Sequence, residues 1–155
     1  MTDRIDRKLE EMGLSLPVAA APVASYVPTV EVGGLMHISG QLPFQDGKVV
    51  TGRLGDDLDK VAGQKAAELC GLMLVAQIKA AVGGDLSRVE RIVKLGVFVN
   101  SAPDFTDQPE VANGASNLME ALFGDAGKHA RSAVGVAALP RGAAVEVDAV
   151  VKLTA

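Results

Sequence analysis

One arginine and two acidic residues near the carboxyl end of the chain have the types and spacing that best fit chemistry. Arg131 opens an apolar run at residues 132–136, and Glu146 lies in a second run at residues 143–153. An arginine offers a planar pair of N–H donors that can bind a carboxylate through two hydrogen bonds. Glu146 and Asp148 alternate with apolar residues, so in a strand both carboxylates project from the same face of the sheet.

These residues permit two interpretations. If the acidic face borders a cleft, a carboxylate near Arg131 could orient or deprotonate a water molecule. Alternatively, Glu146 and Asp148 form a solvated face, and Arg131 belongs to a surface ion pair. Tyr26 is the single tyrosine of the chain and is predicted to begin the first strand. There it could close a pocket or pack in the core.

Other common catalytic arrangements have less support in the sequence. His37 and His129 are far apart and Cys70 has no partner at a ligand spacing, so we expect no metal site. Cys70 lies in the middle of a helical pattern and is predicted to pack as a small hydrophobic residue. Residue counts do not exclude a Ser-His-Asp site, although no Gly-x-Ser-x-Gly turn is present.

The composition describes a chain that can bury a core, and it excludes several classes of function. Of 155 residues, 48% are hydrophobic and 22% charged, which excludes disorder over the whole chain. We expect one domain over residues 1–155, with an accessory helix at residues 1–13. The net charge of −4 and the aromatic content of 3% argue against nucleic-acid partners. With no membrane-spanning run and one cysteine, a cytoplasmic protein without membrane partners is expected.

The periodicity of apolar residues predicts an α+β domain. A short amphipathic helix at residues 2–12, with Thr2 or Asp3 as its predicted cap, precedes three β-rich runs. Two longer helical patterns cover residues 56–82 and 107–123, and a β-branched run at residues 89–100 lies between them. Asp107 is predicted to cap the second of these helices. Because helices separate strands only in the second half, we predict a single domain with a mixed sheet packed by two main helices.

A longer pattern near the carboxyl end resembles a known family. In order, its residues are Arg131-Ser132-x-Val134-x-Val136-x-x-Leu139-Pro140 and, four residues later, Val145-Glu146-Val147. This pattern is similar to the signature of the Rid family, the reactive imine deaminases that are also called YjgF-like or endoribonuclease L-PSP-like proteins. Tyr26 and the run Ser39-Gly40-Gln41-Leu42-Pro43 fit the same resemblance.

The resemblance implies a chorismate-mutase-like fold that assembles as a homotrimer with clefts between subunits. It implies that Arg131 binds the carboxylate of a 2-imino acid and that Glu146 positions the water that attacks the imine carbon. The products would be a 2-oxo acid and ammonia, and no cofactor is implied. The other substrate-binding positions that it implies are Tyr26, Ser39, Gly40, Ser116 and Ala133.

Three positions depart from the usual pattern of this family. Ala133 stands where cysteine is frequent, and His129 where proline or alanine is usual. The helix asparagine of well-studied members does not align cleanly: anchoring on residues 119–121 places Ser116 there, with Asn113 and Asn117 close by. Two alternatives to a deaminase therefore stay open. One is a protein that binds a small carboxylate without catalysis. The other is an endoribonuclease or translation inhibitor, which the acidic composition disfavours.

Overall fold

The strands form a five-stranded sheet and a separate small hairpin. The computed structural model describes residues 3–22 and 24–155. The strands of the sheet are Thr29–Val32 (β1), Leu35–Gln41 (β2), Val89–Asn100 (β5), Ala130–Val136 (β6) and Val145–Leu153 (β7), and the hairpin strands are Phe44–Gln45 (β3) and Lys48–Val49 (β4). The order in the sheet is β1-β2-β7-β5-β6, with β5 and β6 parallel and the other neighbours antiparallel. The predicted mixed sheet is confirmed.

Helices cover one face of this sheet. They are Arg4–Glu11 (α1), Lys60–Ala81 (α2) and Gln108–Phe123 (α3). The helix α2 packs on β2 and β7, and α3 packs on α2, β5 and β6. The predicted α+β fold with two main helices on a mixed sheet is therefore confirmed. None of the helices in the described ranges combines the length and the apolar character needed to cross a membrane.

The alternation of side chains in β7 divides the sheet into two unlike faces. Val145, Val147 and Val151 are fully buried under the helices, whereas Glu146 and Asp148 between them are only partly buried. The two carboxylates share the opposite face, as predicted from the spacing. Within the described residues no helix covers that opposite face.

The core is built from small and branched side chains, which lets the helices pack closely. Cys70 in α2 is fully buried, and its Sγ donates to the carbonyl of Val145 at 3.5 Å. Burial raises the pKa of this thiol well above its ordinary value. Cys70 is thus a packing residue, as predicted.

The accessory helix α1 is part of this core. Ile5 and Leu9 on its inner face are buried, and α1 contacts α3. Asp3 caps the helix because its carboxylate accepts a hydrogen bond from the Ile5 main-chain N–H at 3.0 Å. Thr2, the other predicted cap, lies outside the described residues.

Two local predictions are wrong. Tyr26 does not begin the first strand but lies in a bend before β1, where it is 45% exposed. The strand begins only after Pro28, because proline has no N–H for strand pairing. Asp107 precedes α3 but makes no capping hydrogen bond, since its ψ of 33° is not the extended conformation of a cap. Its carboxylate instead lies 3.6 Å from the Lys60 ammonium.

Candidate functional site

Arg131 lies on the helix-covered side of the edge strand β6, where α3 holds its guanidinium. Its neighbour in β5 is the fully buried Leu95. Nη1 of Arg131 donates to Asn113 Oδ1 at 2.8 Å and to Ser116 Oγ at 3.1 Å. These acceptors are three residues apart in α3 and so lie on the same side of that helix.

This arrangement leaves one edge of the guanidinium available. Nη1 carries two hydrogens, and both are used by Asn113 and Ser116. In the part of the chain that the structure describes, neither Nε nor Nη2 of Arg131 has a protein acceptor. These two groups form the fork that binds a carboxylate through two parallel hydrogen bonds.

A histidine completes the hydrogen-bond chain on the other side of Ser116. His129 Nδ1 lies 2.6 Å from the Gly127 carbonyl, and its Nε2 lies 2.9 Å from Ser116 Oγ. Since a carbonyl only accepts, we assign the hydrogen of a neutral ring to Nδ1, and Nε2 then accepts from the Ser116 hydroxyl. The sequence marked His129 only as a departure from a pattern, without a role.

A cavity of about 300 Å³ opens beside these side chains. Besides the hydrogen-bonded residues, its wall includes the charged residues Glu120 and Lys128. The Lys128 ammonium pairs with Asp125 at 3.3 Å. The cavity is polar and suits a small charged molecule.

Glu146 lies on the helix-free face of the sheet, beside an irregularity in β2. Its carboxylate approaches Gly40 so closely that a Cβ there would lie 2.8 Å from Glu146 Cδ. Burial raises the pKa of Glu146, and the neighbouring carboxylate of Asp148 raises it further. A carboxyl group with a raised pKa is suited to exchange protons with a bound molecule.

Tyr26 and Ser39 lie near the same part of β2. Tyr26 and Gly40 line a small cavity of about 60 Å³. Ser39 Oγ donates to the Val27 carbonyl at 2.8 Å, which ties the segment after Tyr26 to β2. Ser39 and Gly40 therefore lie next to the segment that carries Tyr26.

The residues that sequence analysis selected fall into two groups. Arg131 and Ser116 are in direct contact on the covered side of β6, and Ala133 lies on that side two residues after Arg131, beside Val97 of β5. The second group is Tyr26, Ser39, Gly40 and Glu146. Within one chain the sheet separates Arg131 of the first group from Glu146 of the second.

From the sequence, Asn113 is marked only as an asparagine close to Ser116, without a role of its own. It accepts a hydrogen bond from Arg131. The available signal was its i,i+3 spacing to Ser116 in a predicted helix, but nothing in the sequence showed which side of that helix meets Arg131. Among the described residues no group of three or more His, Cys, Asp or Glu could hold a metal ion.

Comparisons with known proteins identify the family of this chain. Residues 6–151 match the family described as "YjgF/chorismate mutase-like, putative endoribonuclease". Protein TCP17 of Trypanosoma cruzi is 55% identical over 152 residues, which are 97% of this chain and 94% of that protein. The 2-iminobutanoate/2-iminopropanoate deaminase of Salmonella typhimurium is 32% identical over 134 residues, which are 85% of this chain and 90% of that enzyme.

A solved structure shows the same fold over nearly the whole chain. Atu1372 of Agrobacterium tumefaciens, described as a protein with unknown function, is 50% identical with a TM-score of 0.93. The match covers 98% of this chain and 94% of that chain. The match over residues 6–151 confirms the resemblance seen in the sequence, and this chain belongs to the YjgF/chorismate-mutase-like family.

Proposed function

We propose that the protein hydrolyses reactive 2-imino acids, and their enamine tautomers, to 2-oxo acids and ammonia. The observation that carries this proposal is the free Nε–Nη2 edge of Arg131, held in place through Nη1. A 2-imino acid has a carboxylate next to its reactive carbon, so this edge fits the substrate as a two-point anchor. Family membership and the name of the Salmonella relative support the same reaction.

The site is proposed to form between subunits of a homotrimer. Arg131 and Glu146 are separated by the sheet in one chain, so a site that uses both needs a second chain. Two observations support this assembly. The strand β6 is at the edge of the sheet, and the helix-free face exposes Val32 and Val134, which are 67% and 47% accessible. An exposed apolar sheet face is typical of an association surface.

In the proposed reaction, Arg131 of one subunit binds the carboxylate and Glu146 of the next subunit positions a water molecule. Glu146 accepts a proton as the water oxygen bonds to the imine carbon, and the imine nitrogen gains a proton. Collapse of the resulting carbinolamine breaks the C–N bond, releases ammonia and forms the C=O of the 2-oxo acid. No cofactor is proposed, because the imine carbon is already electrophilic and positioning supplies much of the acceleration.

The test supplies the imine and measures its lifetime. An amino-acid oxidase generates 2-iminobutyrate or 2-iminopropionate in the presence of semicarbazide, and the semicarbazone is measured by absorbance. The wild-type protein is expected to lower the yield of semicarbazone, because it hydrolyses the imine before semicarbazide traps it. The Arg131→Ala and Glu146→Gln proteins are expected to leave that yield nearly unchanged. Arg88→Ala is a matched control, since that guanidinium donates to the Thr154 carbonyl at 3.1 Å. No acceleration with several imino acids would refute the proposal.

The free edge of Arg131 also supports a second candidate, a protein that binds a small carboxylate without catalysis. Calorimetry with 2-oxobutanoate distinguishes the two functions. Binding that Arg131→Ala abolishes, together with no hydrolysis of any imino acid, would favour the second candidate.

A further inference from the structure

We propose that Ser116 is a nucleophile activated by His129, and that the cavity beside them accepts small acyl esters or thioesters. This activity is separate from imine hydrolysis and does not use Glu146. Residue counts alone do not exclude a serine–histidine arrangement in this chain. The structure brings one such pair together, 2.9 Å apart, although the two residues are 13 positions apart in the chain.

The orientation of His129 is that of a general base. The Gly127 carbonyl accepts from Nδ1 at 2.6 Å and so leaves Nε2 as the acceptor of the Ser116 proton. A nucleophile within hydrogen-bond reach of a base, with a third group that orients the base, is the geometry of nucleophilic catalysis in many hydrolases. Here a main-chain carbonyl has the orienting role.

The surroundings of Ser116 Oγ fit the charge that this reaction develops. The hydroxyl gives its hydrogen to His129 and uses one lone pair to accept from Arg131 at 3.1 Å, which leaves a second lone pair for attack. The guanidinium donates to this oxygen and so stabilises negative charge on it, and its free Nε–Nη2 edge offers donors for an oxyanion on the substrate. Both Ser116 and His129 are half-buried and line the cavity of about 300 Å³.

The proposed reaction has two balanced halves. Ser116 Oγ bonds to the acyl carbon, its proton moves to His129 Nε2, and the bond to the leaving alcohol or thiol breaks as that group takes the proton. Water then attacks the acyl-serine and gives a proton to Nε2. The bond to Oγ breaks, and Oγ regains that proton. The net reaction consumes one ester or thioester and one water, and it yields one acid and one alcohol or thiol.

The test uses a fluorophosphonate probe, which phosphonylates an activated serine and releases fluoride. We expect intact-mass and peptide mass spectrometry to find the label on Ser116 of the full-length protein. His129→Gln is expected to slow labelling about 100-fold or more, as loss of a general base does. Glutamine can still hydrogen-bond to Ser116 but takes up no proton at neutral pH, so a merely structural role of His129 would survive this substitution.

Two further measurements complete the test. Ser132→Ala is the matched serine control, because Ser132 is exposed on the other side of β6. Hydrolysis of p-nitrophenyl acetate is followed in parallel and should be lost in Ser116→Ala.

Absence of label, label on another serine, or a labelling rate that His129→Gln leaves unchanged would overturn the proposal. These outcomes leave imine hydrolysis untouched, since the imine assay is read in the same preparations. Conversely, serine labelling in a protein that hydrolyses no imine would refute only the proposed deaminase function.

Discussion

Arg131 and Glu146 project from opposite faces of the same sheet. Arg131 pairs with Leu95 of β5, which pairs with Ala149 of β7, whereas Glu146 pairs with Phe98. Ala149 and Glu146 are three positions apart in one strand, and an odd separation places side chains on opposite faces. Within one subunit the hydrogen-bond partners of Arg131 are instead Asn113 and Ser116.

This relationship predicts complementation between inactive variants. In the proposed homotrimer, Arg131→Ala and Glu146→Gln should each be inactive, but a 1:1 mixture that is unfolded and reassembled should recover imine hydrolysis. A site between neighbours needs an intact arginine from one chain and an intact glutamate from the next. The chance is one half times one half, so about a quarter of wild-type activity is expected. Light scattering measures the assembly. A mixture of the two variants that has not been unfolded is the control and should stay inactive. If the reassembled mixture is equally inactive, sites shared between subunits are excluded.

Arg131→Lys is expected to weaken carboxylate binding even though it keeps the positive charge. A lysine ammonium has three donors and no planar fork, so it cannot retain Asn113 and Ser116 and also bind a carboxylate at two points. Loss of one charged hydrogen bond, about 1.5–3 kcal/mol, predicts a dissociation constant for 2-oxobutanoate raised about 10- to 150-fold by calorimetry. Arg88→Lys should bind like the wild-type protein. Unchanged affinity in Arg131→Lys would show that the fork is not the anchor.

Gly40→Ala is expected to destabilise the protein through Glu146. The added Cβ would lie 2.8 Å from Glu146 Cδ, so the carboxylate or the β2 backbone must move. Overpacking of this kind costs about 1–3 kcal/mol of unfolding free energy. In a Glu146→Ala background the cost should largely disappear, since the clashing atoms are gone. A double-mutant cycle by urea denaturation measures this coupling, and equal costs in both backgrounds would contradict it.

The stability of the protein should depend on pH through Glu146. Burial and Asp148 raise the pKa of this carboxyl in the folded state, so the folded chain holds a proton that the unfolded chain has released. Its contribution to stability therefore falls as pH rises from the unfolded pKa through the folded pKa. Glu146→Gln, which cannot ionise, should gain stability relative to wild type at neutral pH. The gain should vanish below about pH 4, where the carboxyl is protonated in both states. Urea midpoints at one protein concentration provide the measurement, and a difference independent of pH would exclude this origin.

Alanine substitutions at two helix glycines, Gly114 and Gly71, should differ in their cost to stability, because one glycine faces main-chain atoms and the other a side chain. A Cβ at Gly114 in α3 would overlap the main-chain carbonyl of Gln64 in α2, whereas one at Gly71 would meet the Leu118 side chain at 2.9 Å. Gly114→Ala is expected to cost about 3 kcal/mol or more, because the two helices must move apart. Gly71→Ala should cost less, because Leu118 can change rotamer and alanine favours the helix by about 1 kcal/mol. Thermal melts at matched protein concentration provide the measurement. A larger loss of stability in Gly71→Ala than in Gly114→Ala would contradict the prediction.

Local patterns predicted much of the fold because they are properties of short segments. The β-branched run at residues 89–100 is a strand with those same bounds, and the alternation in β7 places Glu146 and Asp148 on one face. Tyr26 and Asp107 were placed less well, because the start of a strand or helix depends on single backbone conformations. Pro28 delays the first strand, and the ψ of Asp107 prevents capping.

The sequence by itself determined the α+β class, the family and the pairing of an arginine with a carboxylate as candidate site residues. These conclusions depend on residue types and on spacing along one strand. Only the tertiary structure decided that Arg131 contacts Asn113 and Ser116, that His129 reaches Ser116, and that Glu146 faces away. Which side of α3 meets β6, and in which register the strands pair, depends on contacts between segments distant in the chain. Spacing along a single segment contains no record of these contacts.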